Sequence, residues 1–309
     1  MKSFSGKQFI ESTIEGVGTK TELVDTVRTR YILRAMIAGA IIVFGYAVYY
    51  QLIQFFTEFN FIIGQGQNQV NGSINLIYIG KVLASAFFPL CLVAIYFTKS
   101  ELLTSNMMML SVTKYYGKIT TSKMIKIMTL CFLGNILGGL IFGGLMGMTS
   151  ILDVSIDQIN IGIIAKQNYI INGNWIDLLI RAIFCNIFIN ISMLMIYSGN
   201  LKDDYGKIIA MFFGVFIFAF LGLEHSVANM TLFVMGAMHS IFNGIPLVVN
   251  GVAAIIQIIV VLIGNFIGGG IFIGVLYAYL NDDRKLVSEG EEEIIIEKSI
   301  EGEENVNSK

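Results

Sequence analysis

One polar stretch decides how this chain folds: Leu223-Glu224-His225-Ser226-Val227-Ala228-Asn229-Met230. It interrupts an otherwise apolar segment at residues 207–242. An ionisable side chain at membrane depth is costly, and it indicates a functional site by default. Irregular backbone at that depth is tolerated only where it is buried in protein or lines a cavity. The stretch therefore predicts a broken transmembrane helix whose break faces the interior of the protein.

The rest of the chain has the composition of an integral membrane protein. Of its 309 residues 55% are hydrophobic and 14% are charged, and the mean hydropathy is +0.73. Soluble domains contain about 25% charged residues. A spanning helix needs roughly 20 mostly apolar residues, and six segments qualify: about 32–56, 76–98, 124–149, 177–199, 207–242 and 252–281. The second is also predicted to be broken, because polar residues interrupt its continuation after Lys99.

Two motifs occur twice, in the same order. Glu101 is followed after four residues by Asn-Met, and so is Glu224, 123 positions later. Asn135 lies in a Gly-Asn-x-x-Gly-Gly pattern, and Asn265 lies in the same pattern 130 positions later. The similar offsets indicate a duplicated unit of three spans. Because three is odd, the second unit enters the membrane from the opposite side, and such inverted repeats place the substrate path at their interface.

Positive charge predicts the orientation. Four of the polar regions, which include both ends of the chain, contain most lysines and arginines, whereas the other three loops contain only Lys166. Since positive loops stay in the cytoplasm, we expect a multi-pass protein of the cell (plasma) membrane with both termini cytoplasmic.

The chain divides into three regions by composition. Residues 1–29 are polar and are predicted to form a cytoplasmic N-terminal region. Residues 30–282 are predicted to form the six-helix pore domain, with inverted halves at about 30–150 and 175–282. Residues 283–309 are rich in glutamate and are predicted to form a disordered cytoplasmic tail.

Several side chains are candidates for function on their own chemistry. His225 lies at membrane depth, and the bulky apolar Phe88, Leu92 and Phe218 could form a constriction that blocks a bare ion by dewetting. For Glu101 and Glu224 we predict a role in bonding the exposed N–H groups of the breaks. The same role is predicted for Asn106 and Asn229. The glycines of the repeated motif are expected to let helices approach closely.

Other classes of site find little support. The three cysteines lie in apolar runs without metal-ligand spacing, so neither a metal nor a cofactor is predicted. The net charge of −2 does not suggest nucleic-acid binding. No nucleophile accompanies the paired acids, so an enzyme is the least favoured interpretation.

Residues 222–230 closely resemble the signature of the formate/nitrite transporter family. Phe88-Pro89 with residues 100–106 resembles the family's second helix and loop, and residues 264–269 resemble its sixth helix. The resemblance implies an aquaporin-like, all-α fold, a homopentamer with one pore per protomer, and small monovalent anions as substrates, such as formate, nitrite or hydrosulfide.

The resemblance also implies roles for single residues. His225 matches the central histidine, Thr104 a pore threonine beside it, and Asn186 an asparagine of the fourth helix. Lys166 is the candidate for the family's lysine before that helix, although it lies further upstream than the pattern expects. Four residues match the positions that form or border the family's two hydrophobic constrictions: Phe88, Leu92, Leu102 and Phe218.

These features suggest a proton-assisted mechanism. An anion drawn in by Lys166 and helix dipoles would cross the constriction as its neutral acid, with His225 supplying or stabilising a proton. Two alternatives remain open at this point. One is a neutral-solute pore of the aquaporin or glycerol type, although the usual paired Asn-Pro-Ala motifs are missing. The other is a non-conducting sensor or scaffold that signals through the acidic tail.

Overall fold

The computed structural model describes residues 6–57, 59–63 and 70–282. The predicted acidic tail lies outside these residues. The helices, in chain order, are α1 Lys7–Thr26, α2 Arg28–Phe55, α3 Ile77–Phe87, α4 Leu90–Phe97, α5 Leu103–Tyr115, α6 Thr121–Gly147, α7 Ile156–Ile171, α8 Trp175–Tyr197, α9 Asp204–Phe220, α10 Ser226–Asn243, α11 Gly251–Asn265 and α12 Leu276–Leu280. A 3-10 turn spans Ser150–Leu152, and a π-helical segment spans Phe266–Val275.

Five stretches of helix are long and apolar enough to cross a membrane, as judged by length and composition. They are Arg28–Phe55, Ile77–Phe97, Thr121–Gly147, Trp175–Tyr197 and Gly251–Leu280. Each coincides with a predicted segment to within a few residues. The remaining predicted segment, 207–242, consists of two shorter helices, α9 and α10. The helical membrane architecture is therefore confirmed.

Both predicted helix breaks are present. Helices α4 and α5 are separated by residues 98–102, and helices α9 and α10 by residues 221–225. In each break one residue adopts a left-handed backbone conformation: Lys99 has φ +56° and Gly222 has φ +63°. A further joint lies between α3 and α4, where Pro89 precedes the first residue of α4. Proline is well suited to a helix start because it lacks an N–H group.

The long loop after α2 contains structure that the sequence did not predict. Two short strands, β1 Phe59–Ile63 and β2 Val70–Ile74, pair antiparallel with Phe59 opposite Ile74. This hairpin is the one addition to the predicted all-helical fold among the described residues. It lies in the loop that joins two membrane spans and leaves the helical architecture unchanged.

The glycines of the repeated motif lie where helices cross closely, as predicted. A Cβ atom on Gly138 of α6 would lie 1.9 Å from the carbonyl oxygen of Met36 on α2. In the second half, a Cβ atom on Gly268 would lie 2.1 Å from the carbonyl oxygen of Ile183 on α8. The first and third spans of each half are thus packed backbone to backbone, which the small-residue positions permit.

The N-terminal helix α1 covers one end of the helix bundle. It packs against α5 and α2 and buries Phe9, Val17 and Val24. Near its end, Asp25 accepts a hydrogen bond from Lys123 at the start of α6, and this bond lowers the pKa of the aspartate carboxyl. Helix α1 is therefore a packed part of the structure.

Candidate pore and its supporting network

A narrow central cavity lies between the two halves. It has a volume of about 30 Å³, close to that of a single water molecule. All four residues predicted for the constrictions, Phe88, Leu92, Leu102 and Phe218, line it, together with His225. Its other walls are apolar positions that sequence reasoning missed: Ile42, Cys91, Ile95, Ile189, Val215 and Ala228. Aliphatic residues on apolar helices offer no signal that separates pore walls from ordinary packing.

Two larger cavities adjoin the central one. The cavity that we call the α7-side vestibule has a volume of about 340 Å³ and shares Phe88 and Phe218 with the central cavity. The α1-side vestibule has a volume of about 460 Å³ and shares Leu92, Ile95 and Leu102 with the central cavity. The arrangement is a path with two wide, partly polar ends and a narrow apolar middle.

The aromatic side of the constriction is closed by ring contacts. The ring centroids of Phe88 and Phe218 lie 5.9 Å apart with an edge-to-face orientation. On the far side of Phe88, Tyr46 lies 5.1 Å away between centroids. The Phe218 ring also stacks near the His225 imidazole, at 6.0 Å. Such packed aromatic pairs leave no room for a hydrated ion.

His225 is held at both ring nitrogens. It is 4% exposed and caps the N-terminus of α10, where its Nδ1 accepts the backbone N–H of Ala228 at 3.1 Å. Its Nε2 lies 2.9 Å from Thr104 Oγ1. Because a backbone N–H only donates, Nδ1 carries no proton in this arrangement. The neutral ring therefore holds its proton on Nε2 and donates it to Thr104.

Two asparagines satisfy the backbone at the helix breaks, and they do so in the same way. In the first half, Asn135 Oδ1 accepts the N–H of Leu103 at 3.1 Å, and its Nδ2 donates to the carbonyls of Glu101 and Ala35, each at 2.8 Å. These contacts connect the third span to the break in the second span and to the first span. One side chain thus joins all three spans of the half.

The second half repeats this arrangement. Asn265 Oδ1 accepts the N–H of Ser226 at 2.9 Å, and its Nδ2 donates to the carbonyls of Glu224 and Ala182, each at 2.9 Å. The sequence motif that contains Asn135 and Asn265 was recognised as a repeat, but its asparagines were not assigned a role. The repeat itself was the signal that could have identified them.

The roles predicted for the acids and their neighbouring asparagines need correction. The Glu101 carboxylate binds Lys20 Nζ at 2.6 Å and Asn106 Nδ2 at 2.9 Å, and it does not bond the backbone N–H groups of the break. Glu224 likewise binds Lys166 Nζ at 2.8 Å and Asn229 Nδ2 at 2.6 Å. The reason lies in the packing: Asn135 and Asn265 already accept the N–H groups at the breaks, and each carboxylate lies against a lysine instead.

The two lysines occupy equivalent places in the two vestibules. Lys166 of α7 lines the α7-side vestibule, and Lys20 of α1 lines the α1-side vestibule. Each lysine has a buried glutamate as partner, and Glu224 also accepts a hydrogen bond from Gln257 at 3.1 Å. The sequence predicted the first lysine through its family resemblance. It gave no reason to select Lys20 among the charged residues of the N-terminal region.

Asn186 does not lie at the cavity wall where the resemblance suggested a pore role. It is fully buried, and its Nδ2 donates to the carbonyls of Asn265 at 2.7 Å and Thr104 at 3.2 Å. Asn190 donates to the same Thr104 carbonyl at 3.2 Å. Asn186 and Asn190 therefore fix the start of α5 and thereby the position of the Thr104 hydroxyl beside His225.

The described residues contain no group of three or more His, Cys, Asp or Glu side chains placed to hold a metal ion.

Comparison with known proteins agrees with this geometry. A family model described as formate/nitrite transporter matches residues 7–279. The formate channel FocA of Haemophilus influenzae is 30% identical over 213 residues, which cover 65% of this chain and 74% of that relative.

Solved structures show the same fold. An FNT family ion channel superposes with a TM-score of 0.70 at 20% identity, covering 88% of this chain and 98% of that chain. A pentameric formate channel with formate bound gives a TM-score of 0.63 at 23% identity, with 82% and 96% covered. The predicted fold class is confirmed, and the chain belongs to the formate/nitrite transporter family.

Proposed function

We propose that this chain is a membrane channel for small monovalent anions of weak acids, of the formate, nitrite and hydrosulfide class. The observation that supports it best is an apolar constriction with one neutral histidine, set between two vestibules that each contain a lysine. A bare anion is excluded from such a constriction by its desolvation cost. Its neutral conjugate acid has no such barrier, so a weak acid can pass where a permanent ion cannot.

Proton assistance at His225 follows from its hydrogen bonds. If the ring gave up its Nε2 proton, it would become an anion unless Nδ1 gained a proton at the same time. The Ala228 N–H occupies Nδ1 and opposes that exchange. His225 therefore binds the passing acid without exchanging a proton with it. The anion takes its proton from the water of the vestibule, the Nε2–H of His225 turns from Thr104 to an acceptor atom of the resulting acid, and the acid donates its own proton as a hydrogen bond to the Thr104 hydroxyl.

The vestibule lysines bring the anion to the constriction. Lys166 keeps two N–H donors beyond the one directed at Glu224, and these can face an anion in the vestibule. The buried Glu224 is held by its neutral donors as well, so the pair stays in place while the lysine binds. By the same geometry Lys20 serves the opposite vestibule.

The setting of the pore is part of the proposal. The loop charges favour the α1 side as cytoplasmic, in the plasma membrane, with residues 1–29 and 283–309 as cytoplasmic flanks of a pore domain at 30–282. A pentamer of such pores is proposed from the likeness to the pentameric formate channel. The pore acts by permeation and performs no enzymatic reaction.

Flux measurements in proteoliposomes test the function. Formate, nitrite, hydrosulfide and glycerol are compared at two pH values, for wild type, His225→Phe and His225→Asn. Asparagine keeps the cap on α10 but lacks the imidazole, so it separates the ring's chemistry from its structural role. We expect anion flux that rises as pH falls, by up to about tenfold per pH unit because the neutral fraction of a weak acid grows by that factor. Both variants should lose at least about nine-tenths of the wild-type anion flux.

Two results would contradict the proposal. Glycerol flux without anion flux would place the protein among neutral-solute pores. Flux of a permanently charged anion, equal to that of formate and independent of pH, would show that the substrate does not need to be protonated to pass.

A further inference from the structure

The two helix breaks differ at one position that their symmetry makes equivalent. Lys99 lies two residues before Glu101, and Gly222 lies two residues before Glu224. Both adopt the left-handed backbone conformation, with φ of +56° and +63°. The first half therefore has a lysine at the position where the second half has a glycine.

Glycine adopts this conformation without steric cost, and lysine does not. Among residues other than glycine, only Asn, Asp and His are enriched there. The first half thus has a strained residue at the position where the second half has a glycine, which adopts the same conformation without strain. Strain of this kind concentrates at functional sites, so the lysine side chain is expected to contribute something that glycine cannot.

The side chain of Lys99 lines the α1-side vestibule together with Arg34 and Lys20. Glu101 is the acidic residue on the same wall, and it is already bound to Lys20 at 2.6 Å. Within residues 6–57, 59–63 and 70–282, neither Arg34 nor Lys99 forms an ion pair. The Lys99 ammonium instead lies 5.2 Å from the centroid of the Tyr96 ring.

The break that contains Lys99 is hydrogen-bonded to α2 at Arg34. The backbone N–H of Glu101 donates to the carbonyl of Arg34 at 3.2 Å, so α2 and the break are joined at this point. Three basic residues and one acidic residue line this vestibule, which gives a formal net charge of +2. The α7-side vestibule has Lys81 and Lys166 against Glu224, which gives a formal net charge of +1.

We propose that Arg34 and Lys99 form an anion-binding site for small carboxylates at the α1-side mouth, which loads the pore from that side. The proposal rests on the function proposed above. A guanidinium offers two parallel N–H donors to a carboxylate, and the Lys99 ammonium adds a point charge in the same vestibule. The wide vestibule leaves room for a hydrated carboxylate, which the constriction does not.

The test measures initial formate flux against formate concentration at low ionic strength. The variants are Lys99→Gly, which removes the charge and the strain, Lys99→Asn, which removes the charge and part of the strain because Asn tolerates this conformation, and Lys99→Arg, which keeps both. Lys118→Asn is the matched control, because Lys118 is an exposed lysine in the loop after α5 that lines no described vestibule.

For Lys99→Gly and Lys99→Asn we expect the half-saturating formate concentration to rise about tenfold, with a smaller change in maximal flux. The rise should shrink at high salt, since screening removes the field of a partly exposed charge. Lys99→Arg and Lys118→Asn should stay near wild type. An unchanged half-saturating concentration in Lys99→Gly, or an equal rise in Lys118→Asn, would overturn the inference.

A binding readout separates this inference from the proposed function. Formate should raise the unfolding temperature of the detergent-purified wild type more than that of Lys99→Gly. A formate-dependent rise in a wild type that conducts no anion would support the site and refute the channel. Normal conduction with the same rise in both proteins would refute the site and leave the channel standing.

Discussion

Asn135 and Asn265 show why an amide, and not a carboxylate, closes a helix break. An amide side chain offers one acceptor and two donors. Asn135 uses all three at once, accepting the first N–H of α5 and donating to one carbonyl of the break and one of α2. A carboxylate in its place could accept the N–H but would offer no donor to either carbonyl. The buried backbone of the break therefore requires an asparagine.

Replacing either asparagine by the isosteric aspartate should strongly destabilise the protein. Asn135→Asp and Asn265→Asp each remove the amide donor from two buried carbonyls and add a buried charge without a cationic partner, which costs more than an unsatisfied neutral group. We expect a loss of at least about 3 kcal/mol, measured as a lowered unfolding temperature in detergent. Asn168→Asp on α7 is the control, because the Asn168 side chain forms no hydrogen bond with any other described residue. Equal losses in all three variants would contradict the role assigned to the breaks.

The residue scale is also where sequence reasoning was least complete. Polar residues in an apolar segment are conspicuous, so His225 and Glu224 were identified directly. Lys20 was not, since a lysine in a polar region looks like any other until the fold places it against Glu101. The partners of a side chain depend on which helices meet, and spacing along one segment does not specify that.

At the scale of helices, the positions of the spans were predicted well and their internal details were not. The bilayer sets the length of an apolar span, so hydropathy alone locates Arg28–Phe55 to within a few residues. The β1–β2 hairpin and the π-helical segment Phe266–Val275 were missed. Both depend on local hydrogen-bond patterns that leave the average hydropathy unchanged.

Close helix crossings lead to a prediction at this scale. A methyl group at Gly138 or Gly268 would overlap a backbone carbonyl of the neighbouring span, at 1.9 Å and 2.1 Å. Backbone cannot move aside as a side-chain end can, so Gly138→Ala and Gly268→Ala should separate the paired helices. We expect each to lower the unfolding temperature in detergent by several degrees or to abolish the folded protein.

Gly251→Ala is the matched control for these variants. Gly251 begins α11, and an added Cβ there meets no atom within 4 Å. Its unfolding temperature should equal or exceed that of wild type, since alanine favours the helix. Unchanged stability in Gly138→Ala and Gly268→Ala would show that the crossings adapt, and that their glycines are not required.

At the scale of the whole molecule, the described chain forms a complete path with its own barrier and two vestibules. The residues that line this path in the described part of the chain all belong to one copy, and we predict that each protomer of an assembly conducts alone. Many large apolar side chains are nonetheless exposed on the helices, among them Phe44, Phe142 and Ile255. Lipid or neighbouring protomers would cover such a surface.

The proposed assembly predicts a mass of five chains. One chain has a mass of 34.2 kDa, so native mass spectrometry in mild detergent should show a particle of about 171 kDa plus bound lipid. The likeness to a pentameric channel motivates this number. A monomer active in proteoliposomes would contradict the assembly while leaving the pore intact.

The asparagine contacts have a consequence for how the protein is made. In each half the break lies in the second span, but the side chain that satisfies it comes from the third. During synthesis the break therefore enters the bilayer before its partner exists, and unbonded backbone in lipid is strongly unfavourable. In a nascent chain that ends before Asn265, the break in the second half still lacks its hydrogen-bond partner. Cellular quality control could recognise such an unsatisfied backbone. Each half matures only when its last helix arrives.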